Sequence, residues 1–438
     1  MLVVRGERVV LPTGERAASI VIEDGQITSV GEFHDVPAGA DIVEARNLVV
    51  SPGLVDSHVH VNEPGRTDWE GFDTATRAAA AGGVTTIVDM PLNSTPATTT
   101  LEAFELKRRA AERRVFVDVA FWGGVVPGNE AHLNALADAG VRGFKCFLVP
   151  SGVDDFQSVD EAHLRRALPL LARLRLPLLV HAELPARLSR PATTAYSAYL
   201  ASRPPESESD AIDLTGRLSR EYEARVHIVH VSSAEGVDAI QRARASGAQI
   251  SGETCPHYLT FCSDDVPEGA TEFKCAPPIR QASHRAALWR SLEGGSLDLV
   301  ATDHSPSPPA MKRAGNFVES WGGIASLELS LRAVWTAALA HARSARTIDL
   351  ARWMSEAPAA LAGLGTRKGR IARGFDADLV LWRDDADDVV DAAALQQRHK
   401  VTPYAGRRLR GLVQTTFLRG ERVWDNNAVA GEPRGRLL

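Results

Sequence analysis

The stretch Asn47–Arg66, NLVVSPGLVDSHVHVNEPGR, joins a short apolar run to two histidines that are separated by one residue. Side chains two residues apart in a β-strand point to the same side, so His58 and His60 converge if this run is a strand. Such a pair is either the beginning of a metal site or two polar residues on the exposed face of an edge strand. The rest of the chain decides between these two interpretations.

Seven further apolar runs follow this one, and most of them are separated by stretches rich in Ala, Leu and Arg. Continuous apolar runs that alternate with helices are typical of parallel strands buried on both faces. Eight β–α steps over this length predict an α/β fold, the (β/α)8 TIM barrel. The other seven predicted strands are Gly83–Met90, Val115–Trp122, Val141–Val149, Leu176–Glu183, Arg225–Ser233, Ala248–Cys255 and Leu297–Ser305.

The two ends of the chain differ from its middle, because they consist of short alternating runs with Gly turns such as EDGQ at residues 23–26. Alternation of this kind predicts antiparallel strands and hairpins. RGERVV, from Arg5, also has a close counterpart in RGERVW, from Arg419. We therefore expect residues 1–50 and 374–438 to form a small composite β-sandwich domain, with the barrel inserted between them as residues 51–373.

Polar side chains lie at the predicted carboxyl ends of five barrel strands, where the active sites of such barrels are found. Each has a structural alternative, since a buried histidine can be satisfied in the core, a lysine can pair with a carboxylate and an aspartate can cap a turn. Together, imidazoles and a carboxylate are the donors that zinc and similar divalent ions prefer. The sequence therefore predicts a metal site formed by His58, His60, Lys145, His181, His230 and Asp303.

The motifs of this chain resemble those of the amidohydrolase superfamily, in particular its cyclic-amidase branch of dihydroorotases, hydantoinases and allantoinases. The similarity spans nearly the whole chain. It includes GLVDSHVH, GGVTTIVDMP, GFKCF, HAE, HVSS, GETCPHYL, CAPPIR, ATDHSP and GFDADLVLW. The order of CPHYL and ATDHSP after the paired histidines makes this resemblance specific.

The resemblance implies two divalent cations per chain, with zinc as the expected metal. It implies that His58 and His60 hold the first cation and that His181 and His230 hold the second. The strand-four lysine would carry a CO2-derived carbamate that bridges both cations. Asp303 would bind the first cation and transfer the proton while a cyclic amide is hydrolysed.

The residues after the paired histidines narrow the expected substrate. Dihydroorotases that resemble this chain have Arg within HxHxREPG, where it binds the substrate carboxylate, whereas this sequence has Asn62. An amide can hydrogen-bond to a neutral ring but cannot neutralise a carboxylate. With DMPLNSTPATTT and FKCFL, the pattern resembles allantoinases most, which implies hydrolysis of the cyclic ureide allantoin to allantoate. Asn62, Asn93 and Ser305 are the expected substrate contacts, although Asn93 could instead cap its own loop.

Three alternatives stay open. A dihydroorotase would need another cation, such as Arg66, to replace the missing Arg. A hydantoinase or dihydropyrimidinase would share the metal site. A catalytically inactive scaffold homologue is disfavoured because all six ligand positions are present.

Composition argues against other classes of function. The formal net charge is -6 and the basic residues are scattered, so no nucleic-acid partner is expected. An N-terminus broken early by charge predicts no signal peptide, and no apolar stretch is long enough to span a membrane. Four scattered cysteines indicate reduced thiols and a cytoplasmic location. By resemblance, a homotetramer is expected, and a small cyclic ureide is the expected partner.

Overall fold

The computed structural model describes residues 1–438, and its first four strands belong to the small domain. Strand β1 pairs antiparallel with β2 and parallel with β4. The turn between β2 and β3 falls at Asp24 and Gly25, whose φ values are 50° and 80°, so the predicted hairpin at EDGQ is confirmed. These strands are β1 (Leu2–Leu11), β2 (Gly14–Glu23), β3 (Gln26–Gly31) and β4 (Asp41–Pro52).

The eight predicted barrel strands are all present, and all pair in parallel. A bridge between Val59 and His304 joins the last strand to the first, and the Arg142 N–H donates to the Phe121 carbonyl where the third strand meets the fourth. The barrel is therefore closed. Its strands are β5 (Leu54–Val59), β6 (Val84–Asp89), β7 (Asp118–Phe121) with the short β8 (Gly123–Gly124), β9 (Phe144–Phe147), β10 (Leu178–His181), β11 (Val226–Ile228), β12 (Ile250–Thr254) and β13 (Leu299–Val300).

Helices connect the barrel strands, and their ends follow local sequence signals. Helix α1 stops at Gly82 and Gly83, and the φ of 81° at Gly83 favours glycine. Asp160 caps the N-terminus of helix α4, and its carboxylate accepts the His163 N–H. No helix of the protein is both long enough and apolar enough to cross a membrane. The helices are α1 (Phe72–Ala81), α2 (Leu101–Ala111), α3 (Leu133–Asp138), α4 (Glu161–Leu174), α5 (Tyr196–Ala201), α6 (Pro205–Tyr222), α7 (Ala234–Ala245), α8 (Pro256–Thr260), α9 (Ala282–Gly294), α10 (Ser330–His341), α11 (Thr347–Ala351) and α12 (Ala357–Leu361).

The C-terminal strands complete the small domain. They are β14 (Leu379–Val389), β15 (Arg408–Leu418), β16 (Glu421–Asp425) and β17 (Ala428–Val429). Because β14 pairs antiparallel with β4, both ends of the chain form one continuous sheet in the order β17-β16-β15-β14-β4-β1-β2-β3. The strands of the small domain that the sequence predicts from both ends of the chain thus all pair edge to edge in this one sheet. The last residues leave this sheet and return to the barrel, where the Leu438 N–H donates to the Val119 carbonyl.

A buried ion cluster joins the barrel to the segment that leads into β14. The Lys368 ammonium lies 2.6 Å from Asp118, 3.0 Å from Asp376 and 2.7 Å from Asp378. We call these four residues the Lys368 cluster. Its three carboxylates are close enough together to hold a cation. The lysine already occupies that position, so the cluster is an ion-pair network.

Candidate metal centre

The six predicted metal ligands come together at the carboxyl-terminal mouth of the barrel. Strands β5, β9 and β10 contain His58, Lys145 and His181, respectively. The other three ligands are in the segments that directly follow β5, β11 and β13. All six side chains are buried, and none belongs to a residue more than 9% exposed. The six are His58, His60, Lys145, His181, His230 and Asp303.

Asp303 lies between the two histidines of the opening motif. Its Oδ1 atom is 3.1 Å from His58 Nε2 and 3.4 Å from His60 Nε2. The donor atoms of these three residues lie within 4.8 Å of one another, a spacing that could hold a metal ion. The convergence that the spacing of the histidines predicts is therefore present.

His181 and His230 form the other half of the site, with ring centroids 4.6 Å apart. Glu183 lies 2.7 Å from His181 Nε2, and Arg203 binds the same carboxylate. An ionised carboxylate can only accept, so His181 donates from Nε2 and its Nδ1 carries the lone pair. Glu183 thereby selects the nitrogen that His181 can offer to a metal.

Contacts within the protein do not account for the burial of the Lys145 amine. Its residue is 0% exposed, and its Nζ atom has no hydrogen-bond partner. The Phe147 ring centroid is 5.0 Å from Nζ. A buried, unpartnered amine is costly. The salt bridge considered for this lysine in the sequence is absent.

The electrostatics of the site follow from burial and from the carboxylates. Burial lowers the pKa of Lys145 to about 8 and keeps the pKa of His181 below its usual value. Burial also acts to lower the pKa of His58, but Asp303 and Glu253 outweigh it and raise that pKa to about 9. For Asp303, burial is outweighed by His58, and the carboxyl pKa falls well below its ordinary value. Asp303 is therefore ionised near neutral pH.

The backbone around the site adopts conformations that are rare for residues other than glycine. His230 and Asp303 have φ values of 43° and 47°, and Asn62 and Asn93 have values of 68° and 69°. Such positive-φ residues cost free energy and concentrate at functional sites. At His230 and Asp303, the turn after each strand aims the side chain into the cluster.

The residues present fit a metal centre. Imidazole nitrogens and a carboxylate oxygen are suitable ligands for divalent cations such as zinc. Beyond the donor set, the buried Lys145 Nζ and His230 Nδ1 both lack any partner in the protein. The two unpaired nitrogens are the kind of buried polar atoms that require an explanation outside the chain.

A cavity of about 530 Å³ opens above this cluster, and His58, His60, His181, His230 and Asp303 line its floor. The volume suits a small organic substrate.

Two of the three predicted substrate contacts, Asn93 and Ser305, lie on the cavity wall. The Asn93 side-chain amide is 3.3 Å from His60 Nδ1, so this residue also orients a histidine. Asn62 lies elsewhere: it is 1% exposed, is not part of the cavity lining, and donates to the Pro306 carbonyl. The left-handed backbone at Asn62 turns its amide into the loop. The structure therefore gives no support to a substrate contact through Asn62.

Arg66, the cation that could replace the missing dihydroorotase Arg, is already engaged. Its guanidinium lies 4.8 Å from the Trp69 ring centroid and donates to the Asn93 carbonyl. It does not line the cavity.

The two carboxylates that hold the candidate ligands His58 and His181 were not identified from the sequence. Glu183 lies within HAE and Glu253 within GETCPHYL, and both are 0% exposed. Glu253 lies 2.5 Å from His58 Nδ1. A charged residue within an apolar strand was the available signal, because such a residue is seldom buried without a partner.

Comparison with known proteins shows the family to which this chain belongs. A model of the amidohydrolase family matches residues 49–423. This chain belongs to the amidohydrolase family. Among amidohydrolases with curated functions, it is 48% identical to an allantoinase of Streptomyces avermitilis, covering 100% of this chain and 98% of the relative. It is also 40% identical to an allantoinase of Saccharomyces cerevisiae, with 99% and 98% covered. Among solved amidohydrolase structures, an L-hydantoinase (dihydropyrimidinase) from Arthrobacter aurescens superposes with a TM-score of 0.95 at 32% identity, covering 100% and 99%.

Proposed function

We propose that this chain is a metal-dependent cyclic amidase that hydrolyses allantoin to allantoate. The observation that carries the proposal is the cluster of four histidines and one aspartate on the floor of one cavity, with the fully buried Lys145 on a neighbouring barrel strand. The full-length similarity to curated allantoinases supports allantoin as the substrate.

Each ligand has a role in this proposal. His58, His60 and Asp303 would hold one cation, and His181 and His230 would hold the other. A carbamate on the strand-four lysine would bridge them, and this modification would remove the cost of its buried amine. Divalent cations at such a site polarise an amide carbonyl and make water more acidic. Zinc is the proposed metal.

The side chains of this protein would then position the substrate and move one proton. Asp303 is ionised near neutral pH, so one of its oxygens can accept the proton of the attacking water. The same carboxyl group then donates that proton to the leaving ring nitrogen. The ring opens, and the product carries a new carboxylate.

The cavity wall favours a neutral ring over a carboxylate substrate. The Asn93 amide and the Ser305 hydroxyl can donate to and accept from a ureide. Of the cationic residues on the wall, Arg203 binds Glu183, Arg313 binds Glu319, and Lys274 donates to backbone carbonyls. Each cation is thus already engaged by the protein, which disfavours dihydroorotate.

A second candidate is hydantoinase or dihydropyrimidinase activity, favoured by the close structural match to the Arthrobacter aurescens enzyme. A panel of allantoin, dihydroorotate, hydantoin and dihydropyrimidine separates these activities, with ring opening followed as acid release. Allantoin turnover well above the others is expected. Preference for hydantoin or dihydropyrimidine would favour the second candidate, and preference for dihydroorotate would contradict both.

Further features of the proposal rest on the sequence. We propose domain boundaries at residues 1–50 with 374–438 for the small domain and 51–373 for the barrel. A cytoplasmic location is consistent with four buried cysteines that are all free of disulfides. The homotetramer stays a prediction, and size-exclusion chromatography with light scattering measures it.

A further inference from the structure

A column of polar side chains runs through the barrel interior on the inner side of the metal cluster. The register of β11 and β12 pairs His227 with Ser251, and Glu253 lies two residues further along the same face of β12. His227 and Glu253 are both 0% exposed. Barrels of this kind are normally filled by bulky branched apolar side chains, so a carboxylate in this position is unusual.

The column forms one continuous chain of hydrogen bonds that ends at a proposed metal ligand. Ser251 Oγ lies 2.7 Å from His227 Nδ1, and His227 Nε2 lies 3.1 Å from Glu253 Oε2. The other carboxylate oxygen, Oε1, lies 2.5 Å from His58 Nδ1. The opposite nitrogen of His58 is the one that faces Asp303.

Metal binding requires a neutral His58, and with neutral imidazoles and an ionised carboxylate only one arrangement of protons satisfies every member of the column. Glu253 then only accepts, so His58 donates from Nδ1 and His227 donates from Nε2. His227 Nδ1 is left to accept the Ser251 hydroxyl proton. His58 Nε2 must then carry a lone pair that points toward the proposed cation.

We propose that Glu253, held in place by His227 and Ser251, is a positioning residue that fixes the ring orientation and tautomer of His58 for metal binding. This inference rests on the metal centre of the proposed function. Carboxylates that hold a metal-ligating histidine commonly change metal affinity by 10–100-fold when they are removed. Glu183, in the segment that directly follows β10, lies against His181 in the same way.

A purely structural role for Glu253 is the alternative. A buried charge that serves packing alone can often be replaced at no cost in stability. The two roles differ in what they predict for metal affinity, and zinc itself is the probe.

The test compares Glu253→Gln with a matched control, Glu63→Gln. Glutamine keeps the size and the acceptor oxygen of glutamate but removes the charge. Glu63 is also buried, at 5% exposure, but accepts from the Phe72 N–H and from Arg114 and contacts no proposed ligand. Zinc affinity is measured by competition with a chromogenic chelator. The ligand-field spectrum of the cobalt-substituted protein reports the geometry around the cation, and urea unfolding of the metal-free chain reports stability.

We expect Glu253→Gln to weaken zinc binding by about 10–100-fold and to change the cobalt spectrum, while Glu63→Gln leaves both unchanged. His227→Gln replaces the imidazole that donates to Glu253 Oε2, so this variant should also weaken zinc binding. Affinity within twofold of the unmodified protein in both column variants would overturn the inference. An affinity loss in Glu253→Gln no larger than that in Glu63→Gln would also overturn it. If the unmodified chain itself bound no zinc, the proposed metal centre would fail instead, and the two failures are distinguishable.

Discussion

Replacement of Lys145 by alanine tests the bridging role of this residue. We expect Lys145→Ala to lose most of its bound metal and at least 100-fold of its allantoin turnover, because removing a ligand should cost more than removing its outer partner. The metal-free variant should nevertheless fold. That combination separates a metal ligand from a lysine that only stabilises the core.

The structure gives the size of each opposing effect on stability. Truncation to alanine removes three methylenes, worth about 0.8 kcal/mol each, so about 2 kcal/mol of apolar burial is lost. It also removes a fully buried amine that has no hydrogen-bond partner, a group that costs about 1–3 kcal/mol. These terms nearly cancel, so the free energy of unfolding of the metal-free chain should change by less than about 2 kcal/mol.

The assay measures metal content after dialysis, acid release from allantoin, and urea unfolding of metal-free protein. Lys274→Ala is a matched control, since this lysine is also buried and its pKa is likewise lowered by burial to about 8, but it donates to the carbonyls of Val318 and Ser320. The control should retain its metal. Partial rescue of Lys145→Ala by short carboxylic acids would support a bridging carbamate. Full metal content and activity in Lys145→Ala would refute the reasoning.

Three further predictions concern stability, pH and substrate binding. Lys368→Met removes the buried cation shared by the three carboxylates of the Lys368 cluster and leaves Asp378 without a cation, whereas Asp118 keeps Arg419 and Asp376 keeps Arg367. Urea unfolding should show a loss of about 3–5 kcal/mol, and an unchanged midpoint would contradict the ion-pair assignment. Because the pKa of His58 is raised to about 9, a proton competes with the metal for this histidine below that pH. Zinc affinity, measured by chelator competition, should therefore rise by about tenfold per pH unit between pH 7 and 9. A flat profile would count against His58 as a ligand. Ser305→Ala removes a hydroxyl from the cavity wall and should raise KM for allantoin by about twofold to tenfold with zinc content unchanged, whereas an unaltered KM would remove Ser305 from the substrate contacts.

Much of the fold was predictable from local sequence. Each barrel strand is a short apolar run between helical stretches. A strand that is buried on both faces needs apolar side chains on both, so its position can be read from a continuous apolar run. The convergence of the candidate ligands was predictable for a related reason, since polar residues such as His181 and Asp303 end such runs. The residue types at these positions, and the order of the motifs along the chain, indicated metal chemistry.

The orientation of side chains was not predictable in the same way. Asn62 was expected to contact substrate, but its φ of 68° turns the amide toward the Pro306 carbonyl, and nothing in the local sequence specifies that turn. The pairing of Glu253 with His58 joins residues 195 positions apart, through a contact made only when the barrel closes. The return of Leu438 to β7 is likewise a tertiary contact with no periodic signal.

The central claim is that one metal cluster in this chain opens the allantoin ring. The most direct measurement determines bound metal and acid release from allantoin in the same preparation, before and after removal of metal by a chelator. We expect about two cations per chain, turnover of allantoin well above that of dihydroorotate and hydantoin, loss of turnover on chelation, and recovery with zinc. A chain that binds two cations yet opens no cyclic ureide would contradict the claim.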